Sequence, residues 1–373
     1  MNFAFSEEQE ELRRLARKWL ADKSPSPVVR SLMETDNGYD PAMWTEMARM
    51  GWQGMAIPEE YGGAGFGQLE LAVLFEEMGR SLLPAPFFST VALGSAAILE
   101  AGSEKQKHDL LGRIASGETT IALAFTEPNG RWDETGVETM AEPSGNGWLI
   151  NGTKSFVLDG HTADYLIVAA RGAEGVSLFL VDADTEGVAR RRLETMDMTR
   201  KQAEVTLTDV TVSEDHLVGS AGRGWAVIER VLEKAIVNLS AEQVGAAQKC
   251  LEMSVDYAKT RHQFGRPIGS FQAIKHKCAD MLVQVESAKS ACYYAAWAAS
   301  EDNEELAVVA PMAKSYCSEA FFHCASENIQ IHGGIGFTWE HDAHLYFKRA
   351  KSSELLFGDP SYHRARLADR LGL

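Results

Sequence analysis

Apolar residues recur along this chain with three different rhythms. Over the first 120 residues or so they fall at helical spacing. Ser6 and Gln9 form a capping-box pattern ahead of Leu12, Leu15, Trp19 and Leu20, which predicts a helix starting there. Pro41–Met50 reads as another helix, with Pro41 suited to its first turn, and Leu69–Arg80 and Ser103–Ser116 are again amphipathic. From about Ile121 to Val218 the apolar runs shorten to Ile121–Phe125, Trp148–Ile150, Tyr165–Ala169, Ser177–Val181 and Val205–Leu207, separated by Gly, Asn and Asp. That pattern predicts strands joined by turns, and with no helices between them a small barrel or sandwich fits better than a parallel sheet. Helical spacing returns over Trp225–Thr260, Phe271–Ser300, Glu304–Ile331 and a final stretch ending near Leu371. Long helices with short connections predict a four-helix bundle. The expected architecture is therefore α+β: an N-terminal helical domain (1–120), a middle small β-barrel (121–222) and a C-terminal four-helix bundle (223–373).

Composition narrows the function classes without choosing one. At 373 residues, 45% hydrophobic and 24% charged, the chain is long enough for two or three domains and a sizeable core. A net charge of −17 repels a phosphate backbone, so nucleic acid is not an expected partner. The first residues lack a basic stretch followed by an apolar one, and no run of about 18 apolar residues offers a membrane span. Cys250, Cys278, Cys292, Cys317 and Cys324 are odd in number and hold no Cys-x-x-Cys pair, so buried thiols and a reduced, cytoplasmic setting are expected.

Familiar site motifs are missing. There is no Gly-x-Gly-x-x-Gly, no Walker A sequence, no Gly-x-Ser-x-Gly elbow and no His-rich metal spacing beyond His341 and His344, so no metal is expected. Two segments do stand out. Arg261-His262-Gln263-Phe264-Gly265-Arg266-Pro267 joins two helices ahead of Gln272, and its two guanidiniums could hold phosphate or simply face solvent. Gln330-Ile331-His332-Gly333-Gly334-Ile335-Gly336 lets backbone approach a ligand closely, or makes a tight helix-ending turn.

Taken together, these segments resemble the acyl-CoA dehydrogenase family over nearly the whole chain. Pro58–Gly65, Glu76-Glu77-Met78-Gly79-Arg80 and Gly102–Lys107 look like that family's helical domain. Phe125-Thr126-Glu127-Pro128 and Ile150-Asn151-Gly152-Thr153-Lys154 look like its β-domain signatures, and the Arg261 and Gln330 segments like those of its bundle. The resemblance implies FAD between barrel and bundle, completed by a neighbouring subunit. Arg261, Gln263, Phe264, Gln272, Gln330, Gly333 and Gly334 would contact it from the bundle, with Thr126, Phe156 and Leu158 near the flavin ring. It also implies α,β-dehydrogenation of an acyl-CoA, with a carboxylate taking the α-proton and electrons leaving to an electron-transfer flavoprotein. A role in lipid or steroid catabolism and a tetramer, homomeric or built with a related subunit, belong to the same expectation.

The chain departs from the family pattern close to the chemistry. Counting from Gln330, the position of the usual catalytic Glu holds Phe357, whose backbone N–H could still serve a thioester carbonyl. The alternative base position, on the first bundle helix, holds Ala235, followed by Ile236. Glu242 lies two helical turns beyond Ala235 on the same face and is the candidate replacement base; Glu233 and Glu354 are the other acids nearby. Arg131-Trp132-Asp133 replaces a Gly-Ser-Asp run, and Leu158 stands where a Thr is expected to bond the flavin. Three readings stay open: a dehydrogenase using an unusual base such as Glu242, a base-lacking subunit of an α2β2 heteromer, and a flavin oxidase or monooxygenase on the same scaffold.

Overall fold

A computed structural model describes residues 5–373. Helix α1 (Glu7–Lys23) opens at Ser6, whose hydroxyl accepts from the Gln9 amide while the Gln9 side chain accepts from the Ser6 amide. Helices α2 (Ser26–Met33), α3 (Pro41–Arg49), α4 (Gln68–Ser81), α5 (Ala96–Ala101) and α6 (Glu104–Ala115) follow. Helix α2 and a π-helical stretch at Phe88–Ser95 were not expected. The first is amphipathic but only two turns long, too short to stand out in the sequence, and the second is buried on every side.

The β region holds β1 (Ile121–Ala124), β2 (Met140–Ser144), β3 (Gly147–Leu158), β4 (Tyr165–Gly172), β5 (Gly175–Asp182), β6 (Val188–Arg192), β7 (Gln202–Ser213) and β8 (Leu217–Val218). They form one sheet in the order β6-β7-β3-β2-β4-β5-β8, with β1 running parallel to β4. Every expected run is a strand. Pro143 in β2 and the three arginines of β6 hid those two strands from a pattern reading. Ile150, Leu166, Val168, Phe179, Val205 and Val210 are among the fully buried residues of the sheet's core.

The last third holds α7 (Gly224–Thr260), α8 (Gln272–Ser300), α9 (Leu306–His332), α10 (Ala343–Leu355) and α11 (Pro360–Leu371). The expected final helix is thus two helices broken by a turn at residues 356–359. No helix among the described residues is long and apolar enough to cross a membrane.

Contacts gather the described chain into two compact units. One contains residues up to Arg30, Gln68–Leu83 and Ile236–Leu373; the other contains Ser31–Gly67 and Pro84–Ala235. The partition cuts across the sequence zones because α1 and α4 pack among the bundle helices. Their contacts are ionic as well as apolar. Arg13 pairs with Glu76 at 3.3 Å and Arg17 with Glu77 at 2.7 Å, while Arg80 pairs with Glu252. Burial pushes the Glu76 carboxyl upward, and Arg13 and the Tyr293 hydroxyl, which donates to it at 2.8 Å, hold it partly down.

Helices α4 and α7 cross at two glycines. A Cβ on Gly79 would lie 2.0 Å from the Glu242 carbonyl oxygen, and one on Gly245 would lie 1.8 Å from that of Glu76. Both contacts are backbone, so a methyl group forces the helices apart. Gly79→Ala and Gly245→Ala should each lower stability by about 1–3 kcal/mol in urea unfolding, despite alanine's better helix propensity. A neutral or stabilising effect would show that the crossing is looser than drawn.

Candidate functional site

The turn between α10 and α11 carries the position where a base was sought. Phe357 has φ +61° and Gly358 φ +103°. Glycine is needed at 358 because a Cβ there would stand 2.3 Å from the Tyr362 ring. A phenylalanine held at positive φ costs on the order of 1–3 kcal/mol and persists only where its surroundings dictate it. Those surroundings are dense. The Gly358 amide donates to Leu355 O at 3.2 Å, and the Tyr362 amide to the Asp359 carboxylate at 2.8 Å. His363 Nε2 bonds Phe357 O at 3.1 Å. Burial and the nearby Lys314 push the His363 imidazole down to about 3, so it is neutral; its bond to a carbonyl puts the proton on Nε2. The Phe357 ring is itself buried, and an aromatic ring accepts no proton.

Glu242 projects from α7 into the same helical unit, where Arg349 Nη1 of α10 donates to its Oε1 at 2.6 Å. Their side chains are only 5% and 2% exposed. That setting conflicts with the expected role as base. Protonating Glu242 would take from the buried Arg349 the charge of the carboxylate it pairs with. Glu354, the other acid named near the turn, accepts from Lys351 at 2.9 Å.

The proposed FAD contacts of the bundle gather at the ends of α7 and α9, which are tied by a Tyr257–His332 stack with ring centroids 4.3 Å apart. Beyond α7, His262–Gln263 and Arg266–Pro267 pair as a small hairpin. Its two central residues, Phe264 and Gly265, have φ +54° and +78°, as a primed hairpin turn requires. Phe264 is 92% exposed, a strained and unburied aromatic. The side chains of Arg261, Gln263, Gln272 and Gln330 are exposed, and the Arg261 guanidinium has no partner among the described residues. A Cβ on Gly333 or Gly334 would touch nothing within 4 Å. This shelf of open donors beside bare backbone fits the phosphates and polar chain of FAD.

The β-domain contacts are placed less uniformly. The Thr126 hydroxyl donates to Ser155 O at 2.5 Å, and the Ser155 amide donates to Thr126 O at 2.9 Å, locking the end of β1 to β3. Just beyond, the β3–β7 register slips between Lys154 and Val157, and Phe156 sits in that bulge with φ +59° and half its surface exposed. Leu158 and Thr126 are instead both buried. Behind the strand, Lys154 Nζ donates to Glu127 Oε1 at 2.6 Å, with burial drawing the lysine down to about 8. The Arg131–Asp133 segment follows a turn at Pro128–Asn129, and its Trp132 packs towards Phe125, with centroids 6.1 Å apart.

Sequence reasoning missed Arg349, His363 and the buried Lys314. The Lys314 signal was available: it is a lone cation on the Ala310–Cys317–Ser318 face of its helix. Arg349 carried none, because Lys348 and Lys351 beside it are ordinary surface residues in sequence terms.

Known proteins supply the remaining comparison. The acyl-CoA dehydrogenase N-terminal, middle and C-terminal domain families match residues 6–118, 122–210 and 222–372. The chain is 36% identical to the acyl-CoA dehydrogenase IpdE2 of Mycolicibacterium smegmatis, over 97% of this chain and 98% of that protein. The butyryl-CoA dehydrogenase structure from Megasphaera elsdenii superposes with a TM-score of 0.93 at 28% identity, covering 100% of both chains. A chain of the ChsE4–ChsE5 complex from Mycobacterium tuberculosis superposes with a TM-score of 0.92 at 28% identity, covering 100% of this chain and 99% of that one. With all three domains matched in order from end to end, the chain belongs to the acyl-CoA dehydrogenase family of FAD-dependent oxidoreductases acting on acyl-CoA.

Proposed function

We propose that this chain is the base-lacking, FAD-binding subunit of a heteromeric acyl-CoA dehydrogenase that converts an acyl-CoA to its 2-enoyl-CoA. A related subunit contributes the carboxylate that takes the α-proton, and electrons pass on to an electron-transfer flavoprotein. The pairing of Glu242 with Arg349 carries this reading. It removes the candidate carboxylate from service while Phe357 and Ala235 fill the two customary base positions. The ChsE4–ChsE5 complex, a two-component relative, supports the same plan.

In this reading each residue has a limited task. Arg261, Gln263, Gln272 and Gln330 bind the cofactor's polar chain, Gly333 and Gly334 let it approach the backbone, and Phe264 lies against it. Phe156 flanks the flavin ring, and Thr126 braces the strand beside it; Leu158 packs the β-domain interior. FAD supplies the acceptor for the hydride leaving Cβ. The Phe357 amide points a donor at the thioester carbonyl, where negative charge develops as the α-proton leaves. Arg261→Ala should lower FAD occupancy on purification at unchanged unfolding temperature. Co-expression with a related acyl-CoA dehydrogenase subunit should yield a mixed tetramer, read by native mass spectrometry. A stable homotetramer that excludes every such subunit and turns over acyl-CoA would refute the heteromer.

A further inference from the structure

Lys314 of α9 is fully buried, yet it forms no ion pair among the described residues. Its ammonium donates to Ser318 Oγ at 2.8 Å, to Glu354 O at 3.0 Å and to Gly358 O at 3.3 Å. The two carbonyls bracket Phe357: Glu354 is in the last turn of α10 and Gly358 follows the strained residue. Ser318 is tied in turn to the Gln243 amide of α7 at 3.0 Å, and Gln243 also donates to Ser353 at 3.2 Å. From the other side His363 holds the intervening carbonyl of Phe357 at 3.1 Å. Three carbonyls of one short turn therefore end on two buried side-chain donors.

We propose that Lys314 is a positioning residue that fixes the Phe357–Gly358 turn, and with it the Phe357 amide, through the carbonyls of Glu354 and Gly358. Its link to catalysis rests on the reading of that amide as the thioester's donor; its hold on the turn does not. The reason is a count of hydrogens. An ammonium has three donors, matching its three acceptors here, while the neutral amine has only two. Losing the proton therefore frees a carbonyl, or turns the Ser318 hydroxyl away from Gln243 Oε1, to which it donates at 3.3 Å, and towards the amine.

The charged groups around it set when that happens. Burial draws Lys314 down to about 7, opposed by Glu354 of α10, Cys317 of α9 and Asp359 at the start of α11. His363 of α11 is neutral, and burial pushes the Cys317 thiol up to about 12, so neither changes charge near neutrality. Glu242 of α7 is occupied by Arg349. Lys314 is then the group that titrates in the window.

Hydrogen exchange of the purified holo-protein, read by mass spectrometry on the peptide containing residues 354–360, tests this without substrate. After correction for intrinsic exchange rates, protection of the turn should fall about tenfold or more between pH 6 and pH 9, while the centres of α7 and α9 stay protected. Lys314→Met should be poorly protected at both pH values and show no pH step. Protection that is independent of pH in the wild-type chain overturns the inference, whether or not the variant folds. For the catalytic link, kcat of the active assembly should fall roughly tenfold above pH 7 with KM little changed, and Lys314→Met should lack that limb. An exchange step without the kcat limb would leave Lys314 holding the turn and refute the assignment of the Phe357 amide.

Discussion

An Arg349→Met variant that keeps Glu242 should lose about 3–5 kcal/mol of stability. The loss arises less from the missing attraction than from what is left behind, a carboxylate at about 5% exposure with its cation gone. Removing both charges tells the two apart. Glu242→Met combined with Arg349→Met leaves no stranded ion, and apolar replacements of buried pairs are commonly neutral or stabilising. The double variant should therefore recover most of the loss, giving a large coupling energy in a urea-unfolding cycle. Glu242→Gln should likewise weaken the fold. If these variants instead kept wild-type stability and Glu242→Gln alone abolished turnover, Glu242 would be the base after all.

On the proposed reading, Phe357→Glu should give the isolated chain acyl-CoA dehydrogenase activity of its own. The position already has the geometry: it follows α10 directly, its carbonyl is held by His363, and its φ of +61° is imposed by the turn rather than chosen by phenylalanine. Glutamate meets the same backbone cost. Its carboxyl would replace a ring that is 4% exposed, and burial raises the proton affinity of a carboxylate, which suits a base for a weakly acidic carbon. The rate of flavin reduction by acyl-CoA should rise on the order of 10²–10⁴-fold, the usual contribution of a positioned general base. An unchanged rate in a folded, FAD-loaded variant would mean that proton removal is not what the chain is missing.

The architecture was legible because its signals are local. The Ser6–Gln9 capping box, Pro41 at a first turn, and Gly-bounded apolar runs each depend on residues within a few positions. The motif Glu76-Glu77-Met78-Gly79-Arg80 could be recognised, but its physics could not be read from it. Gly79 is small because the Glu242 carbonyl crosses it, and the three charges meet partners at Arg13, Tyr293, Arg17 and Glu252. The same holds for the site. Counting along the chain identified Phe357 where a carboxylate was sought, and helical periodicity put Glu242 on a reasonable face. Only the fold brings Arg349 to it from 107 residues away. The positive φ at Phe156, Phe264 and Phe357 was equally invisible, since phenylalanine is a residue from which no left-handed turn is expected.

The most direct test records the flavin spectrum of the purified chain during anaerobic addition of a panel of acyl-CoAs, including bulky ones, without and then with a related dehydrogenase subunit. The account predicts a yellow protein that stays oxidised with every acyl-CoA alone and bleaches once the partner is present. Bleaching of the chain by itself, abolished by Glu242→Gln but not by removing any partner, would contradict it.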